Sequence, residues 1–287
     1  MSNANDLLEP SRLRLRGSGG IELAADQFGP VDGPLVVFLH GGGQNRHSWK
    51  QTGARLGASG MRVVTLDARG HGDSQWAPDR DYRRHTMVRD LLLVLEQLGA
   101  PAVVVGASMG GITGLLATAA PGGEAITALV LVDIVTRPEP EGVARVIDFM
   151  GKHRHGFDSI EQAADAVAAY LPHRPRPENT NGLLRSLRER DGRWYWHWDP
   201  DMLGGRLENP SAMIEQTEDA ARALSIPVLL VRGMRSDVVS PEGAEAFQRL
   251  VPHAQLVEIG GAAHTAAGDD NDSFTDAVSK FVLSTRE

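Results

Sequence analysis

A serine flanked by glycines stands between an apolar run and a helix-like segment. Residues 102–105 lead into GASMGG at residues 106–111, and residues 112–119 have the character of a helix. In this G-x-S-x-G arrangement the serine occupies a tight, strained turn, where a side chain at either flanking glycine would collide with neighbouring backbone. The turn holds the hydroxyl at the carboxyl end of the strand, beside helix N–H dipoles that stabilise developing negative charge. The spacing therefore predicts that Ser108 is a nucleophile.

A serine hydroxyl is a poor nucleophile at neutral pH and needs a base that is itself oriented by an acid. His264 is the candidate base, because it follows an apolar run in a glycine-containing loop. Two aspartates are candidate acids, since Asp237 and Asp133 each follow another apolar run. Asp237 could instead be a turn residue that caps a helix expected from residue 241. A serine, a histidine and an aspartate in these positions predict acyl-transfer chemistry.

A glycine-rich stretch, HGGG at residues 40–43, follows an earlier apolar run. Glycines let the backbone approach a bound oxygen and point its N–H groups at it, which is how an oxyanion hole is formed. We expect the donors to be the N–H groups of Gly42 and Met109, with Gly43 as the alternative. His40 is expected to brace this loop without transferring a proton.

The elements that must position these residues are short apolar runs separated by helix-length segments. Such runs are expected where helices cover both faces of a parallel sheet. Residues 86–98 repeat apolar side chains with a period near 3.6, as an amphipathic helix does. The alternation predicts an α/β fold with a mostly parallel, doubly wound sheet and an antiparallel hairpin at its edge over residues 12–28. The predicted core strands cover residues 35–39, 62–66, 102–105, 128–132, 227–231 and 255–259.

One long interval lacks the strand signal. From residue 136 to about 224 the chain carries charged amphipathic segments, separated by proline-rich joints such as 172–177. So long a stretch inside a parallel-sheet protein predicts a helical lid inserted over one edge of the sheet. The expected domains are a core of residues 1–135 and 225–287, beginning with a loose leader, and a lid of residues 136–224. The lid helices are expected at residues 142–150, 159–170, 183–190 and 213–222.

Aromatic side chains concentrate in the predicted lid, where residues 194–198 read WYWHW. Large aromatic side chains dominate burial, so some of these rings are expected to anchor the lid to the core. A sharper interpretation is that Trp194 and Trp196 line an apolar acyl pocket. Together with Gly43 of the glycine-rich stretch, they are the candidate substrate-binding residues.

The composition limits the classes of function. The chain has 287 residues, 41% hydrophobic and 23% charged, as in an ordinary globular protein. It contains no cysteine, which excludes disulfides, thiolate nucleophiles and cysteine-bound zinc, and no motif requires a metal or cofactor. A net charge of −8 is the wrong sign for binding nucleic-acid phosphates. No apolar stretch reaches the roughly 20 residues that span a bilayer, so we expect a cytoplasmic protein. We also expect it to be a monomer or homodimer that acts on a small molecule.

Several motifs occur together in this chain: HGGG with Trp49 after it, DARGHGDS at residues 67–74, GASMGG at residues 106–111, Arg232-Gly233 before Asp237, and Gly261 before His264. Taken together, these motifs resemble the α/β-hydrolase superfamily. The resemblance extends from the first hairpin to the C-terminal helix and fails only in the lid, where that superfamily is most variable. Epoxide hydrolases and haloalkane dehalogenases of this fold carry aspartate at the nucleophile position, so Ser108 argues against both.

The resemblance implies a serine hydrolase that forms an acyl-enzyme. Ser108 would attack a carbonyl, His264 would take its proton, and an aspartate would orient the imidazole. The superfamily's chain order of serine, acid and histidine favours Asp237 over Asp133 as that aspartate. The DARGHGDS turn is expected to be scaffolding. The best-fitting activity is cleavage of a carboxylic ester or lactone of small to medium size.

Other activities of the same fold stay open at this point. Carbon–carbon hydrolases of ring-fission products bind a substrate carboxylate, which Arg185, Arg188 or Arg193 in the lid could contact. Cofactor-free perhydrolases and haloperoxidases use peroxide in place of water. A non-catalytic small-molecule receptor is the third alternative, because fold alone does not establish activity.

Overall fold

Ten strands are present in the described residues of the computed structural model, which are 9–172, 174, 176, 180–203, 209–264 and 271–285. Most of the expected leader and half of the proline-rich joint at 172–177 lie outside these ranges. The strands are β1 (Ser11–Arg16), β2 (Glu22–Phe28), β3 (Leu35–Leu39), β4 (Arg62–Leu66), β5 (Ala102–Ala107), β6 (Ile126–Val132), β7 (Leu187–Arg190), β8 (Arg193–Trp196), β9 (Val228–Gly233) and β10 (Gln255–Ile259).

Eight of these strands, within the described part of the chain, form one sheet in the order β1-β2-β4-β3-β5-β6-β9-β10. β1 and β2 are an antiparallel hairpin at one edge, and β2 also pairs antiparallel with β4. Every further pair in the sheet is parallel. The predicted mostly parallel sheet with a hairpin at its edge is confirmed, and the carboxyl ends of β5, β6, β9 and β10 lie side by side.

Helices cover both faces of this sheet, which explains why its central strands are apolar along their whole length. One face packs against α2, α3, α6 and α7 around residues such as Leu91, Leu115 and Phe247. The other face packs against α1 and α8, with Leu56 and Phe274 in its core. The helices are α1 (Lys50–Ala58), α2 (Arg84–Leu98), α3 (Met109–Thr118), α4 (Pro140–Gly151), α5 (Ile160–Tyr170), α6 (Pro210–Arg222), α7 (Pro241–Leu250) and α8 (Asn271–Ser284).

The interval between β6 and β9 contains strands as well as helices. The predicted helix at residues 183–190 is wrong in its second half, because β7 pairs with β8 in a two-stranded antiparallel sheet. The turn between them is Asp191-Gly192, and both residues have positive φ, 51° and 74°. Asp-Gly with positive φ at both positions is the preferred two-residue hairpin turn.

Helix α6 belongs to the main body. Its buried Ala220 and Ala221, with Leu224 just after it, are part of the core cluster that covers the sheet. The segment that stands apart from the sheet is therefore shorter than the expected lid of residues 136–224, and we call the described residues between 140 and 203 the cap segment. It has its own apolar cluster around Phe157, Trp196 and Trp198. None of the helices in the described ranges combines the length and the apolar character that a bilayer crossing requires.

Candidate active site

Ser108 lies in the sharp turn between β5 and α3, as its spacing predicted. Its backbone has φ 46° and ψ −112°, a conformation that costs energy for any residue with a side chain. A Cβ at Gly106 would be 2.4 Å from the Gly110 carbonyl oxygen, and one at Gly110 would be 2.5 Å from the Leu39 carbonyl oxygen. Both flanking glycines are therefore required by close approach of backbone, which lets the serine side chain stand at the sheet edge.

The ladder of backbone hydrogen bonds continues past the strand ends and fixes the residues that follow them. Ser108 N–H donates to the Val132 carbonyl at 3.1 Å, and Asp133 N–H donates to the Val231 carbonyl at 2.7 Å. Because β5, β6 and β9 are neighbours in the sheet, these bonds place Ser108 and Asp133 at adjacent positions on its carboxyl edge.

The carboxylate that contacts His264 is that of Asp133. His264 Nδ1 lies 2.9 Å from Asp133 Oδ2, and the Asp133 side chain is fully buried. Two further donors hold the same carboxylate: Gly233 N–H at 2.9 Å from Oδ1, and Ser236 Oγ at 2.5 Å from Oδ2. A carboxylate beside Nδ1 assigns the ring proton to that nitrogen, so Nε2 is the nitrogen left to accept a proton.

Asp237 does not occupy that position, and the expectation that it orients His264 is corrected here. Its side chain is 29% exposed and forms an ion pair with Arg145 of α4. The backbone of α4 also lies close, since a Cβ at Gly142 would be 2.1 Å from the Asp237 carbonyl oxygen. Asp237 thus contacts the cap segment, one residue beyond the Ser236 that reaches Asp133.

The loop that carries His264 lies against the end of β9. Arg235 N–H donates to the Ala262 carbonyl at 2.8 Å. A Cβ at Gly233 would be 2.5 Å from the Ala263 carbonyl oxygen, so only glycine allows this approach. This contact brings a histidine 131 residues away in sequence to Asp133.

The HGGG loop presents one unengaged glycine N–H beside Ser108. Gly41 N–H donates to Gln44 Oε1 at 3.0 Å, and Gly43 N–H donates to His71 Nε2 at 3.3 Å. Among the described residues, the N–H of Gly42 has no partner, and neither has that of Met109, the first residue of α3. A Cβ at Gly41 would lie 3.4 Å from Ser108 Cβ, so this loop borders the serine. The arrangement favours Gly42 over Gly43 as the donor that accompanies Met109.

The DARGHGDS turn is held by a buried charge network. Arg46, 3% exposed, is ion-paired with Asp26 at 3.1 Å, with Asp73 at 2.8 Å and with Asp67. Asp67 also accepts hydrogen bonds from the backbone N–H groups of Arg46 at 2.7 Å and Asp73 at 2.8 Å. These contacts are those of scaffolding, as expected for this turn.

Three buried imidazoles, which we call the histidine cluster, join the HGGG loop, the DARGHGDS turn and the cap segment. They are His40, His71 and His197. The ring centroid of His71 lies 4.8 Å from that of His40 and 6.0 Å from that of His197. Burial lowers the pKa of each, and the neighbouring imidazoles further lower that of His71. The pKa of His197 falls to about 3, chiefly through burial. All three rings are therefore neutral at physiological pH, and each accepts one backbone N–H: His40 from Ala68 at 3.0 Å, His71 from Gly43 at 3.3 Å, and His197 from Gly72 at 2.7 Å.

The cap segment covers the HGGG loop with apolar atoms. Met150 Sδ would be 3.0 Å from a Cβ at Gly42, and Trp198 Cζ3 would be 3.6 Å from a Cβ at Gly43. The Trp198 indole N–H donates to the backbone carbonyl of Met150 at 3.3 Å, which holds the Trp198 ring against the end of α4. The cap residues next to the loop are thus Met150 and Trp198.

The tryptophans predicted to bind substrate are placed differently. Trp196 is 7% exposed and packs inside the cap cluster, edge-on to Phe157 and stacked on Trp198 at a centroid distance of 4.9 Å. Trp194 packs partly against the same cluster, and its backbone pairs with Phe157. Trp196 therefore has the structural role that burial of aromatics suggests, and a substrate contact by Trp194 stays a prediction.

Sequence reasoning missed Ser236, Met150 and Trp198. Ser236 stands one residue before the favoured acid, but a lone serine in a loop carries no pattern. Met150 ends a predicted lid helix, where filling gaps in the packing is the usual role of methionine. Trp198 belongs to the aromatic run, where the distance along the chain does not tell which ring faces the core.

Comparison with known proteins identifies the family of the chain. The family model described as alpha/beta hydrolase fold matches residues 34–270. The chain is 32% identical over 266 residues to esterase Rv0045c of Mycobacterium tuberculosis, covering 88% of this chain and 84% of that protein. It is also 32% identical over 266 residues to the sn-1-specific diacylglycerol lipase ABHD11 of Mus musculus, covering 87% and 81%.

A solved structure extends the match to three dimensions. An alpha/beta hydrolase from Novosphingobium aromaticivorans superimposes with a TM-score of 0.82 at 25% identity, covering 96% of this chain and 98% of that one. By sequence and by fold, the chain belongs to the α/β-hydrolase family.

Proposed function

We propose that the chain is a serine hydrolase that cleaves a carboxylic ester or lactone of small to medium size through an acyl-enzyme. The observation that carries the proposal is the 2.9 Å contact between His264 Nδ1 and the buried Asp133 carboxylate, at the sheet edge that also holds the strained Ser108. An esterase and a lipase among the relatives support ester chemistry.

In the proposed reaction, Ser108 Oγ attacks the substrate carbonyl and its proton passes to His264 Nε2. The Asp133 carboxylate holds the imidazole by Nδ1 and stabilises the imidazolium that forms. His264 then protonates the leaving alcohol. It next removes a proton from the water that attacks the acyl-enzyme, which releases the carboxylic acid and restores the Ser108 hydroxyl.

The negative oxygen of each tetrahedral intermediate would be held by the N–H groups of Gly42 and Met109. Removing one such donor typically costs about 3 kcal/mol of transition-state stabilisation. Backbone donors of this kind are already oriented before the reaction, so no energy is spent on reorganising them. Their supporting contacts therefore matter as much as the donors themselves.

The substrate groups next to the oxyanion loop are proposed to be apolar. Met150 and Trp198 approach this loop from the cap segment with a thioether and an aromatic edge. Such surfaces bind hydrocarbon by excluding water and offer no partner to a charged group. A small-molecule ester with an alkyl or aryl substituent fits these surroundings, and no cofactor takes part in the proposed reaction.

Labelling with a fluorophosphonate probe followed by peptide mass mapping tests the proposal. We expect one adduct on Ser108, and a loss of nitrophenyl ester hydrolysis of about 10⁶-fold in Ser108→Ala. Ser59→Ala, at an exposed serine after α1, is the matched control and should keep full activity. A label on another residue, or an active Ser108→Ala protein, would overturn the assignment.

Substrate choice is tested by comparing nitrophenyl esters of increasing acyl length with simple γ- and δ-lactones. Hydrolysis of lactones is followed through the acid released. We expect turnover of short to medium esters or of lactones that disappears in Ser108→Ala. Turnover of neither class by a protein that still takes the fluorophosphonate label would contradict the proposed substrate class.

Carbon–carbon hydrolysis is less well supported, because it needs a cation to bind the substrate carboxylate. Two of the three candidate arginines have other partners: Arg188 pairs with Asp73 at 2.6 Å, and Arg193 pairs with Asp158. Arg185 is exposed. Turnover of a ring-fission dienoate faster than that of nitrophenyl esters would reverse this preference.

A non-catalytic receptor is the alternative from a different class of function. Such a protein would release nitrophenol in a single burst equal to the protein concentration, without steady turnover. The complete set of serine, histidine, aspartate and free N–H donors favours an enzyme. Steady-state turnover that scales with protein concentration distinguishes the two.

A further inference from the structure

The glycines of the oxyanion loop have no side chains to hold them, so their orientation depends on contacts from outside the loop. Glycine has more backbone freedom than any other residue, and ordering it costs correspondingly more entropy. We propose that His71 is a positioning residue that orients this loop through the Gly43 N–H, and that His197 of the cap segment supports His71 in that task. This inference rests on the proposed function, because it concerns the oxyanion donors of that reaction.

The N–H groups of both neighbours of Gly42 are held by side chains. Gly43 has φ 72°, a left-handed conformation, and its N–H donates to His71 Nε2 at 3.3 Å. On the other side, Gly41 N–H is held by Gln44 Oε1 at 3.0 Å. With both neighbouring N–H groups engaged, the Gly42 N–H is left for the substrate oxygen. His71 is thus one of two side chains that determine the direction of this donor.

His71 is itself held by a hydrogen bond within its own turn. Its Nδ1–H donates to the Arg69 carbonyl at 3.2 Å, which leaves Nε2 as an acceptor. The next residue, Gly72, donates its N–H to His197 Nδ1 at 2.7 Å. His197 is 1% exposed, and its backbone N–H donates to the Ser186 carbonyl at 3.0 Å within the cap segment. The cap segment is therefore connected to the oxyanion loop by two hydrogen bonds, one from Gly72 N–H to His197 and one from Gly43 N–H to His71.

An imidazole meets the requirements of this position. The contact to Gly43 needs a neutral acceptor in a site with 0% exposure, and a cationic side chain would point donors at another donor. Burial and the two neighbouring imidazoles keep the pKa of His71 well below its ordinary value, so the ring accepts across the physiological range. A neutral histidine satisfies both the Arg69 carbonyl and the Gly43 N–H, which no aliphatic residue can do.

A crossed pair of substitutions separates positioning from simple structural support. The amide of His71→Gln can reach the place of Nε2 and accept from Gly43, while that of His71→Asn can reach only the place of Nδ1. We expect His71→Gln to keep kcat within about threefold, and His71→Asn to lose about tenfold to a hundredfold in kcat with little change in KM. Affinity for a trifluoromethyl ketone, whose adduct carries the oxyanion, should fall in parallel with kcat.

Thermal unfolding of each variant, with surface His253→Asn as control, shows how much of any loss reflects folding. Equal kcat in the two His71 variants, or losses that follow only the unfolding temperature, would overturn the proposal. If His71→Asn does not fold, two variants of His197 test the proposal instead. His197→Asn keeps an acceptor for the Gly72 N–H and should be more active than His197→Gln. A wild-type protein without ester turnover or probe labelling would instead refute the proposed function.

Discussion

Two aspartates follow neighbouring strands at the same edge of the sheet, yet their surroundings differ. Asp133, after β6, is fully buried and accepts hydrogen bonds from His264, Ser236 and Gly233 N–H. Asp237, after β9, is 29% exposed and pairs with Arg145 of the cap segment. An acid that must hold an imidazole in one orientation needs fixed partners and little water, and only Asp133 has them.

Order in the chain does not separate the two aspartates, because both lie between Ser108 and His264. Their positions at the edge of the sheet do separate them, since only Asp133 contacts His264. The β9 loop still takes part in the site, because Gly233 and Ser236 donate to Asp133. Its own aspartate lies one residue further on and contacts α4 instead. Two neighbouring strand ends thus divide one task, with the carboxylate on one and its hydrogen-bond donors on the other.

The strongest test of this comparison is to neutralise each aspartate in turn. Asp133→Asn should lower kcat about 10⁴-fold, because an amide beside Nδ1 favours the wrong imidazole tautomer. Asp237→Asn should change kcat by no more than about threefold, as a partly exposed side chain outside the site. Steady-state kinetics with a nitrophenyl ester measure both, and equal losses in the two variants would refute the division of roles.

The burial of His197 predicts how the stability of the folded protein depends on pH. Burial lowers the pKa of His197 from 6.5 to about 3, so the unfolded chain binds a proton that the folded chain refuses. The stability present above pH 6.5 is therefore lost progressively as pH falls towards 3, by on the order of 5 kcal/mol for the full shift.

Urea denaturation between pH 8 and pH 4 measures this loss. The variant His197→Asn cannot titrate, and its stability should fall less steeply over that interval. His253→Asn, at an exposed histidine bonded to the Ile226 carbonyl, removes an imidazole from the surface as a control. The same slope in wild type and His197→Asn would show that the buried ring is not the cause.

Ser236→Ala removes one hydrogen-bond donor from the buried Asp133 carboxylate. A hydrogen bond to a charged group contributes about 1.5–3 kcal/mol, so the free energy of unfolding should fall by about that amount. The kcat should fall about tenfold, because Asp133 is then less firmly oriented. Denaturation and kinetics on the same samples test both, and an unchanged kcat would limit Ser236 to stability.

The smallest effect is expected at the exposed ion pair of Asp237. Arg145→Ala should change the free energy of unfolding by at most about 1 kcal/mol, because solvent screens a pair whose arginine is 58% exposed. A double-mutant cycle with Asp237→Ala measures the coupling between the two side chains. A coupling of several kcal/mol would mean that this contact fastens α4 to the core far more strongly than surface pairs do.

Much of the fold could be predicted because its signals are local. Each core strand is a short apolar run, and the Ser108 turn is specified by glycines whose absence would cause backbone collisions. The β7–β8 hairpin was missed although Asp191-Gly192 is a strong turn signal, because the charged residues of 187–190 were assigned to an amphipathic helix. The position of the Trp196 ring could not be predicted, because the aromatic run does not distinguish a ring buried inside the cap segment from one that lines an acyl pocket.

The amino-acid sequence was sufficient to predict the α/β sheet, the strained serine, the glycine loop and the histidine after the last strand. These depend on backbone geometry within a few residues, where steric exclusion leaves few conformations. Long-range packing selects which aspartate faces His264, which glycine N–H stays free, and which cap side chains reach the loop. Those contacts join residues far apart in the chain, and their choice depends on packing that brings β6, β9 and the cap segment to one edge of the sheet.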